Sequence, residues 1–169
     1  MSESAPARVH VVGLGSLFRA DDAFGPAVIE ELRAGWDFSE DVLLTDAGTP
    51  GIDLLSLLSG RTHVILVDAV RSGAEAGQVR RFSGDEALRH ASSARLSIHS
   101  LDLRETLRLL DATGQAPRNL MLVGVEPLRV EGGIGLTPPV RQAVPEAARA
   151  VVDLLTEIGV PPTPKSALR

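Results

Sequence analysis

Three aspartates of this chain stand where predicted strands end, and acidic side chains at such positions can bind a cation or move a proton. Asp22 follows a glycine-rich turn after the first predicted strand, Asp46 ends the second and Asp68 ends the third. Ligands of parallel sheets bind beyond the carboxyl ends of the strands. The positions of these carboxylates therefore indicate a small metal-binding site at one edge of a sheet.

The sequence leaves two interpretations of the Asp21-Asp22 pair open. Aspartate caps helix N-termini and stabilises them by ~0.3–1 kcal/mol, but one aspartate is enough for a cap. The other lies beside a glycine-rich turn, where added negative charge favours a cation. Asp68 ends an apolar strand, and a buried carboxylate is unfavourable unless it is paired, hydrogen-bonded or metal-bound. For Asp68 we favour a functional role over pairing with Arg71 or hydrogen bonds to loop amides.

The chain contains no cysteine, so disulfides, thiolate nucleophiles and cysteine-based metal sites are excluded. A metal site must use imidazole, carboxylate or backbone oxygen, ligands that suit Ni, Zn, Mn or Mg. Structural roles fit His10, His63 and His90. His99 stands at a loop-to-helix position from which it can point toward the sheet edge, although spacing alone does not distinguish it from the others.

Two other kinds of site find little support. Gly13-Leu-Gly15 after a first strand suggests a dinucleotide-binding turn, with Asp46 as the ribose-binding acid, but the third glycine of that pattern is replaced by Phe18. The adjacent Asp21-Asp22 pair would also repel a pyrophosphate. Neither a Gly-x-Ser-x-Gly elbow nor a His-Glu-x-x-His motif is present.

Composition bounds the class of protein. The chain has 169 residues, 44% of them apolar and 23% charged, which fits one globular domain over 1–169 with loose termini at 1–7 and 161–169. A net charge of −5 argues against nucleic acid as a partner. No apolar run approaches the ~20 residues of a membrane span. The N-terminal residues lack the pattern of a secretory signal, so we expect a cytoplasmic protein without membrane partners.

Predicted strands alternate with predicted helices, which indicates a mostly parallel sheet covered on both faces. The strands are predicted at 8–13, 42–45, 63–67, 78–82 and 120–125, and the main helices at 21–33, 52–59, 99–110 and 138–159, the last with a restart at Pro145 as one option. The connection 72–77 is too short for a crossover helix, so the fourth strand should run antiparallel to its neighbour. The sequence therefore predicts an α/β fold, a three-layer αβα sandwich with a five-stranded sheet containing one antiparallel strand.

Six segments, taken in order, resemble the motifs of the hydrogenase maturation proteases, the endopeptidases that trim the C-terminus of the large subunit of nickel–iron hydrogenases. They are Val11-Val-Gly-Leu-Gly-Ser-Leu-Phe-Arg-Ala-Asp-Asp-Ala-Phe-Gly25, Asp46-Ala-Gly-Thr-Pro-Gly51, Val67-Asp-Ala69, Ser97-Ile-His99, Leu122-Val-Gly-Val125 and Gly135-Leu-Thr-Pro138. The similarity extends from Arg8 to about Gly159. Each segment alone is only moderately specific, but chance hardly explains all six in the right order.

The resemblance implies a role for particular residues. Asp22, Asp68 and His99 match the metal-contacting carboxylates and imidazole of the family, and Asp46 matches an acidic loop residue with a part in catalysis or substrate positioning. The chain departs from many members at Ser16, where they have Asn, and at Ala47, where they have Gly. These two departures leave the three implied metal ligands unchanged.

In the family view, nickel is carried by the substrate, the precursor of a [NiFe]-hydrogenase large subunit, and zinc or cadmium can take its place in vitro. An open site of two carboxylates and one imidazole suits Ni²⁺ and Zn²⁺. Either the metal activates the scissile carbonyl or a water, or it only docks the substrate while Asp46 acts as base. The main alternative is a scaffold that checks nickel without cutting. A monomer is the simplest expectation.

Overall fold

The computed structural model describes residues 8–49, 53–91 and 102–166, and its centre is a five-stranded sheet. The strands are β1 (Val9–Leu14), β2 (Trp36–Asp37), β3 (Val42–Gly48), β4 (His63–Ala69), β5 (Val79–Ser83), β6 (Asn119–Val125) and β7 (Thr163–Pro164). The helices are α1 (Phe24–Gly35), α2 (Leu54–Leu58), α3 (Gly84–Ala91), α4 (Leu103–Ala112) and α5 (Pro138–Ile158), with a 3-10 turn at Ala20–Ala23 before α1.

The main sheet has the order β3-β1-β4-β6-β5. All neighbouring strands are parallel except β5, which pairs antiparallel with β6. The predicted fold class is confirmed, including the single antiparallel strand. The neighbour of β5 in the sheet is β6, which comes later in the chain and lies between β4 and β5.

Helices cover both faces of the sheet and form two separate apolar cores. On one face, α1 and α5 pack against side chains such as Val11 and Val67. On the other face, α2, α3 and α4 pack against side chains such as Val12 and Leu66. Side chains alternate between the faces along each strand, so the predicted three-layer arrangement follows from apolar residues at both odd and even positions of β1 and β4.

The order of the strands places a crevice at the carboxyl ends of β1 and β4. The chain passes from β1 to β3 on one side, and then crosses back to β4 on the other side. Ligands of open α/β sheets bind at such a reversal. The turn after β1 carries Asp22 and the end of β4 carries Asp68, so the topology brings both to this crevice.

Several details differ from the sequence-based expectations. The tail 161–169 is predicted to be loose, but its residues Thr163–Pro164 form β7, which pairs antiparallel with β2. The Lys165 amide also donates to the Gly35 carbonyl oxygen (2.9 Å). Helix α5 continues through Pro145 without a restart. Within the described part of the chain, no helix is long and apolar enough to cross a bilayer.

Candidate active site

Asp22 lies in the 3-10 turn directly after the loop that leaves β1. Its Oδ2 accepts a hydrogen bond from the Ser16 backbone N–H (2.9 Å). The side chain is partly exposed. This bond fixes one carboxylate oxygen toward the loop and leaves the group at the carboxyl end of the sheet.

Asp21 has a different environment from its neighbour. Its side chain is fully buried, and its two oxygens accept hydrogen bonds from the backbone N–H groups of Leu128, Arg129 and Thr137 (2.7–2.9 Å) and from the Thr137 hydroxyl. The helix-cap interpretation of the pair is wrong: α1 begins after Ala23 without a side-chain cap. Asp21 instead attaches the segment 128–137 to the 3-10 turn.

Asp68 is buried at the end of β4 with one carboxylate oxygen unsatisfied. Its Oδ1 accepts a hydrogen bond from the Ala69 N–H (2.8 Å), whereas its buried Oδ2 has no hydrogen-bond partner within the described part of the chain. The expected alternative of a pair with Arg71 is therefore not realised. Burial raises the pKa of Asp68 well above its usual range, and the negative charge of Asp22 raises it further, against the smaller opposing effect of the Ala69 N–H.

The Asp22 carboxylate lies near enough to Asp68 for its negative charge to add to the effect of burial and raise the pKa of Asp68. A buried carboxylate oxygen without a donor is unfavourable, and two adjacent carboxylates repel each other unless a proton or a cation lies between them. The donor set of carboxylate oxygens suits a divalent cation. Within 8–49, 53–91 and 102–166, no group of three acidic, histidine or cysteine side chains is arranged to hold a metal. His99 lies outside these ranges.

Two glycines allow the turn that carries Asp22 to lie against the strand ends. A Cβ on Gly15, whose φ is +121°, would stand 1.7 Å from the Asp22 carbonyl oxygen. A Cβ on Gly25 would stand 2.2 Å from the Leu14 carbonyl oxygen and 2.5 Å from that of Val67. The glycine-rich turn thus serves the close approach of the chain to itself, which accounts for it without a bound pyrophosphate.

Asp46 lies on the exposed end of β3, the terminal strand of the sheet. Its Oδ1 accepts a hydrogen bond from the Gly48 N–H (3.1 Å). The residue also lines a groove of about 620 Å³ beside α1. Asp46 is therefore accessible to a substrate at the same edge of the sheet as Asp22 and Asp68.

Glu126 and His10 are buried polar residues with structural partners. Glu126, directly after β6, accepts hydrogen bonds from the Ser72 N–H (2.6 Å), the Ser72 hydroxyl (2.9 Å) and the Ala74 N–H (3.2 Å). Burial raises the pKa of Glu126, but these hydrogen bonds and the Arg71 charge outweigh it, so the net shift is downward. His10 binds the Leu57 carbonyl oxygen and the Thr45 hydroxyl. The structural role expected for His10 is thus met.

Sequence reasoning missed the function of Asp21 and the apolar groove. The donors to Asp21 come from residues 107 to 116 positions further along the chain, and no local pattern reports such a contact. The exposed Leu17 and Phe18 of the groove stood within the first motif without a recognised role. Two large apolar residues inside a predicted turn are the sequence pattern that could have indicated a binding surface there.

A protein-family model matches most of the chain. The family model HycI, hydrogenase maturation protease, matches residues 26–154. The Hydrogenase 2 maturation protease of Escherichia coli strain K12 is 34% identical over 161 residues, which are 95% of this chain and 98% of the relative. The hydrogenase expression/formation protein HupD of Bradyrhizobium diazoefficiens is 32% identical over 161 residues, which are 95% of this chain and 84% of the relative.

Solved structures agree with these relatives. The hydrogenase maturating endopeptidase HybD of E. coli superposes with a TM-score of 0.85 at 34% identity, and the alignment covers 94% of this chain and 98% of HybD. A hydrogenase 2 maturation peptidase from a Thaumarchaeota archaeon gives a TM-score of 0.67 at 27% identity, with coverage of 88% and 98%. Fold, sequence and the acidic strand ends lead to the same assignment: the chain is a peptidase and belongs to the hydrogenase maturation protease family.

Proposed function

We propose that this peptidase removes the C-terminal extension from the precursor of a [NiFe]-hydrogenase large subunit, and that it recognises nickel already bound to that precursor. The observation that carries the proposal is the buried, unsatisfied Oδ2 of Asp68 beside the charge of Asp22. Such a pair offers oxygen ligands to a cation delivered by the substrate. The family assignment favours cleavage over the alternative of a non-cutting nickel scaffold.

His99 is proposed as the third ligand. The side chain of Asp68 shares a sheet face with Leu66, since residues two apart in a strand point the same way. Helix α4, which follows His99 in the chain, packs on that face through Leu103 and Leu110. The proposal for His99 therefore rests on the motif Ser97-Ile-His99, which precedes this helix in the chain.

In the proposed mechanism, Asp22 and Asp68 hold the substrate's metal ion and so position the scissile bond at the sheet edge. Nickel bound there polarises a carbonyl group or acidifies a water molecule when the substrate is in place. Asp46 is proposed either to accept the proton of the attacking water or to position the peptide. Its exposure and its place in the groove wall support both roles.

The test is the processing of nickel-loaded and nickel-free precursor by the purified protein, followed by intact-mass spectrometry. We expect a loss of mass from the loaded precursor only. Asp68→Asn should abolish that loss, whereas Asp153→Asn, an exposed aspartate of α5, should process normally. Equal cleavage of both precursor forms would contradict metal recognition. If neither form is cleaved, the proposed function itself is contradicted.

The role of Asp46 is separated by measuring binding and cleavage together for Asp46→Asn. Retained precursor binding with lost cleavage indicates a base. Weakened binding with a smaller effect on the rate of bound substrate indicates positioning. Unchanged binding and unchanged cleavage would exclude Asp46 from the mechanism.

The metal site can also be tested without the precursor. We expect Zn²⁺ or Cd²⁺ to bind the isolated protein in a calorimetric titration, because the positive charge of either ion compensates the negative charges of Asp22 and Asp68. Asp68→Asn and His99→Ala should each weaken this binding by about tenfold or more. Equal affinities in the wild type and both variants would contradict the proposed ligand set.

A further inference from the structure

A groove with a volume of about 620 Å³ lies next to the candidate site, between two loops and α1. One wall is formed by Leu17 and Phe18 of the loop after β1. A second wall is formed by Ile134 and Leu136 of the segment 128–137, and Pro26 of α1 also lines the groove. The groove is therefore mainly apolar.

The apolar side chains of the groove are unusually accessible. Leu17 is 56% exposed, Phe18 76% and Ile134 84%. Single exposed apolar residues are normal on a protein surface, as Leu109 on α4 illustrates at 47%. A group of three around one concave surface is different, because contiguous apolar surface marks an interaction site.

The two walls of the groove are held together by hydrogen bonds. The buried Asp21 carboxylate binds the backbone at both ends of the segment 128–137. In the reverse direction, the Asp21 N–H donates to the Arg129 carbonyl oxygen and the Ala20 N–H donates to that of Gly133 (3.0 Å each). The groove is thus preformed, and a preformed surface loses less entropy when it binds a chain.

The polar part of the groove is acidic. Glu30 and Asp46, both exposed, line it together with Arg33. The Arg33 guanidinium donates to the Leu44 carbonyl oxygen (3.0 Å), so it is directed in part to the protein's own backbone. Two carboxylates against one partly engaged guanidinium favour a basic side chain on the bound partner.

The groove is continuous with the candidate active site. The Ser16 N–H holds Asp22, and the next two residues are the groove residues Leu17 and Phe18. Asp46 belongs both to the groove and to β3, the terminal strand of the sheet, and a terminal strand suits an extended partner chain. A substrate held at Asp22 and Asp68 therefore has its neighbouring peptide within reach of the groove.

We propose that the groove binds, in extended form, the precursor segment that flanks the scissile bond. That segment carries apolar side chains, which pack on Leu17, Phe18 and Ile134, and a basic side chain, which faces Glu30 and Asp46. The proposal rests on the proposed function and adds the chemistry of the peptide and the surface that selects it. The groove supplies affinity for the peptide, whereas Asp22 and Asp68 supply the contact with the metal.

The apolar contact is tested by steady-state processing of nickel-loaded precursor by the double variant Phe18→Ser with Ile134→Ser. We expect KM to rise about tenfold, with kcat changed less than about twofold, because the groove residues do not touch the metal site. Leu109→Ser is the matched control, an exposed leucine outside the groove, and should leave both constants unchanged. An unchanged KM in the double variant would overturn the proposal.

The acidic contact is tested with Glu30→Lys and with precursor in which each basic residue near the cut is replaced by glutamate in turn. We expect Glu30→Lys alone to raise KM, and one of the precursor replacements alone to raise it as well. When that precursor is combined with Glu30→Lys, KM should return toward the wild-type value. Absence of any restoring pair would overturn the basic-residue part. If wild-type protein cleaves no precursor, the proposed function itself fails; if it cleaves but all groove variants match it, only the groove proposal fails.

Discussion

At the scale of single residues, Asp21 and Asp68 are both buried carboxylates, but their surroundings are opposite. Every oxygen of Asp21 accepts hydrogen bonds from the segment 128–137. Asp68 has one satisfied oxygen, one unsatisfied oxygen and the nearby charge of Asp22. The first residue stabilises the fold, whereas the second is unfavourable for the fold, as functional residues frequently are.

We therefore expect Asp68→Asn to unfold less readily than the wild type while losing cleavage. Burial and the charge of Asp22 raise the pKa of Asp68. A carboxyl group with a raised pKa stabilises the folded protein below its unfolded pKa, and this stabilisation is lost as pH rises through the folded pKa. The gain from the variant should be about 1–3 kcal/mol at neutral pH and smaller in acid. Urea unfolding at two pH values, in chelator, measures it; a variant less stable at both would contradict the account.

Removal of the Asp21 carboxylate should have the reverse effect on stability. Asp21→Ala leaves the buried Thr137 N–H, the part-buried N–H groups of Leu128 and Arg129 and the Thr137 hydroxyl without this acceptor, so we expect a loss of about 1–3 kcal/mol of unfolding free energy for the buried donor and less for each of the others. Asp21→Asn retains one acceptor oxygen and should lose less. Denaturant titration of the three proteins gives the order, and equal stabilities would show that the segment 128–137 is held by other contacts.

At the scale of elements, His10 joins three parts of the structure. It belongs to β1, its Nδ1–H donates to the Leu57 carbonyl oxygen of α2 (2.7 Å), and its Nε2 accepts from the Thr45 hydroxyl of β3 (2.7 Å). A carbonyl oxygen can only accept, which fixes the proton on Nδ1. The neutral ring thus fits both partners.

Acid should weaken this junction. Burial lowers the pKa of His10, and the charge of Arg61 lowers it further, against the hydrogen bond to Leu57. A lowered pKa gives stability that is present above the unfolded value, about 6.5, and lost as pH falls toward the folded value. We expect the free energy of unfolding to decline below about pH 6.5 and to decline less steeply in His10→Gln. Parallel slopes in the two proteins would exclude His10 as the cause.

The conformation of the whole turn after β1 depends on the absence of a side chain at Gly15. Because a Cβ there would meet the Asp22 carbonyl oxygen at 1.7 Å, Gly15→Ala must displace the turn that carries Asp22. We expect precursor cleavage to fall by about tenfold or more. Gly35→Ala, where a Cβ meets no atom within 4 Å, is the matched control and should cleave normally. Normal cleavage by both variants would show that the turn tolerates displacement.

Elements with a regular apolar pattern could be predicted from the sequence, and elements that depend on distant partners could not. The apolar runs of β1 and β4 and Pro138 in the first turn of α5 are local signals. The two-residue strands β2 and β7 are too short to show periodicity, and the position of β6 between β4 and β5 depends on packing. Asp22 and Asp68 could be identified as candidates because each follows a predicted strand. The contact of Asp21 with the segment 128–137 could not, because its donors lie more than a hundred residues away.

At the scale of the whole molecule, the C-terminal residues close the structure against α1. The tail is attached to the end of α1 by the pairing of β7 with β2 and by a hydrogen bond from the Lys165 backbone N–H to the Gly35 carbonyl oxygen. Deletion of 163–169 should lower Tm by roughly 2–4 °C, the shift that about 1 kcal/mol produces in a protein of this size. Precursor cleavage should be retained, because these contacts lie at the end of α1 away from Asp22. An unchanged Tm would mean that the pairing of β2 with β7 adds no stability.

The attachment of Asp21 to 128–137 has a consequence for the order of events during synthesis. A ribosome makes the turn with Asp22 early, but the backbone donors that hold its neighbour are more than a hundred residues away. A nascent chain that ends before β6 therefore lacks the partners that fix this turn and one wall of the peptide groove. We therefore expect a fragment that lacks the segment 128–137 to leave a precursor uncut, because the turn that carries Asp22 then has none of these hydrogen bonds.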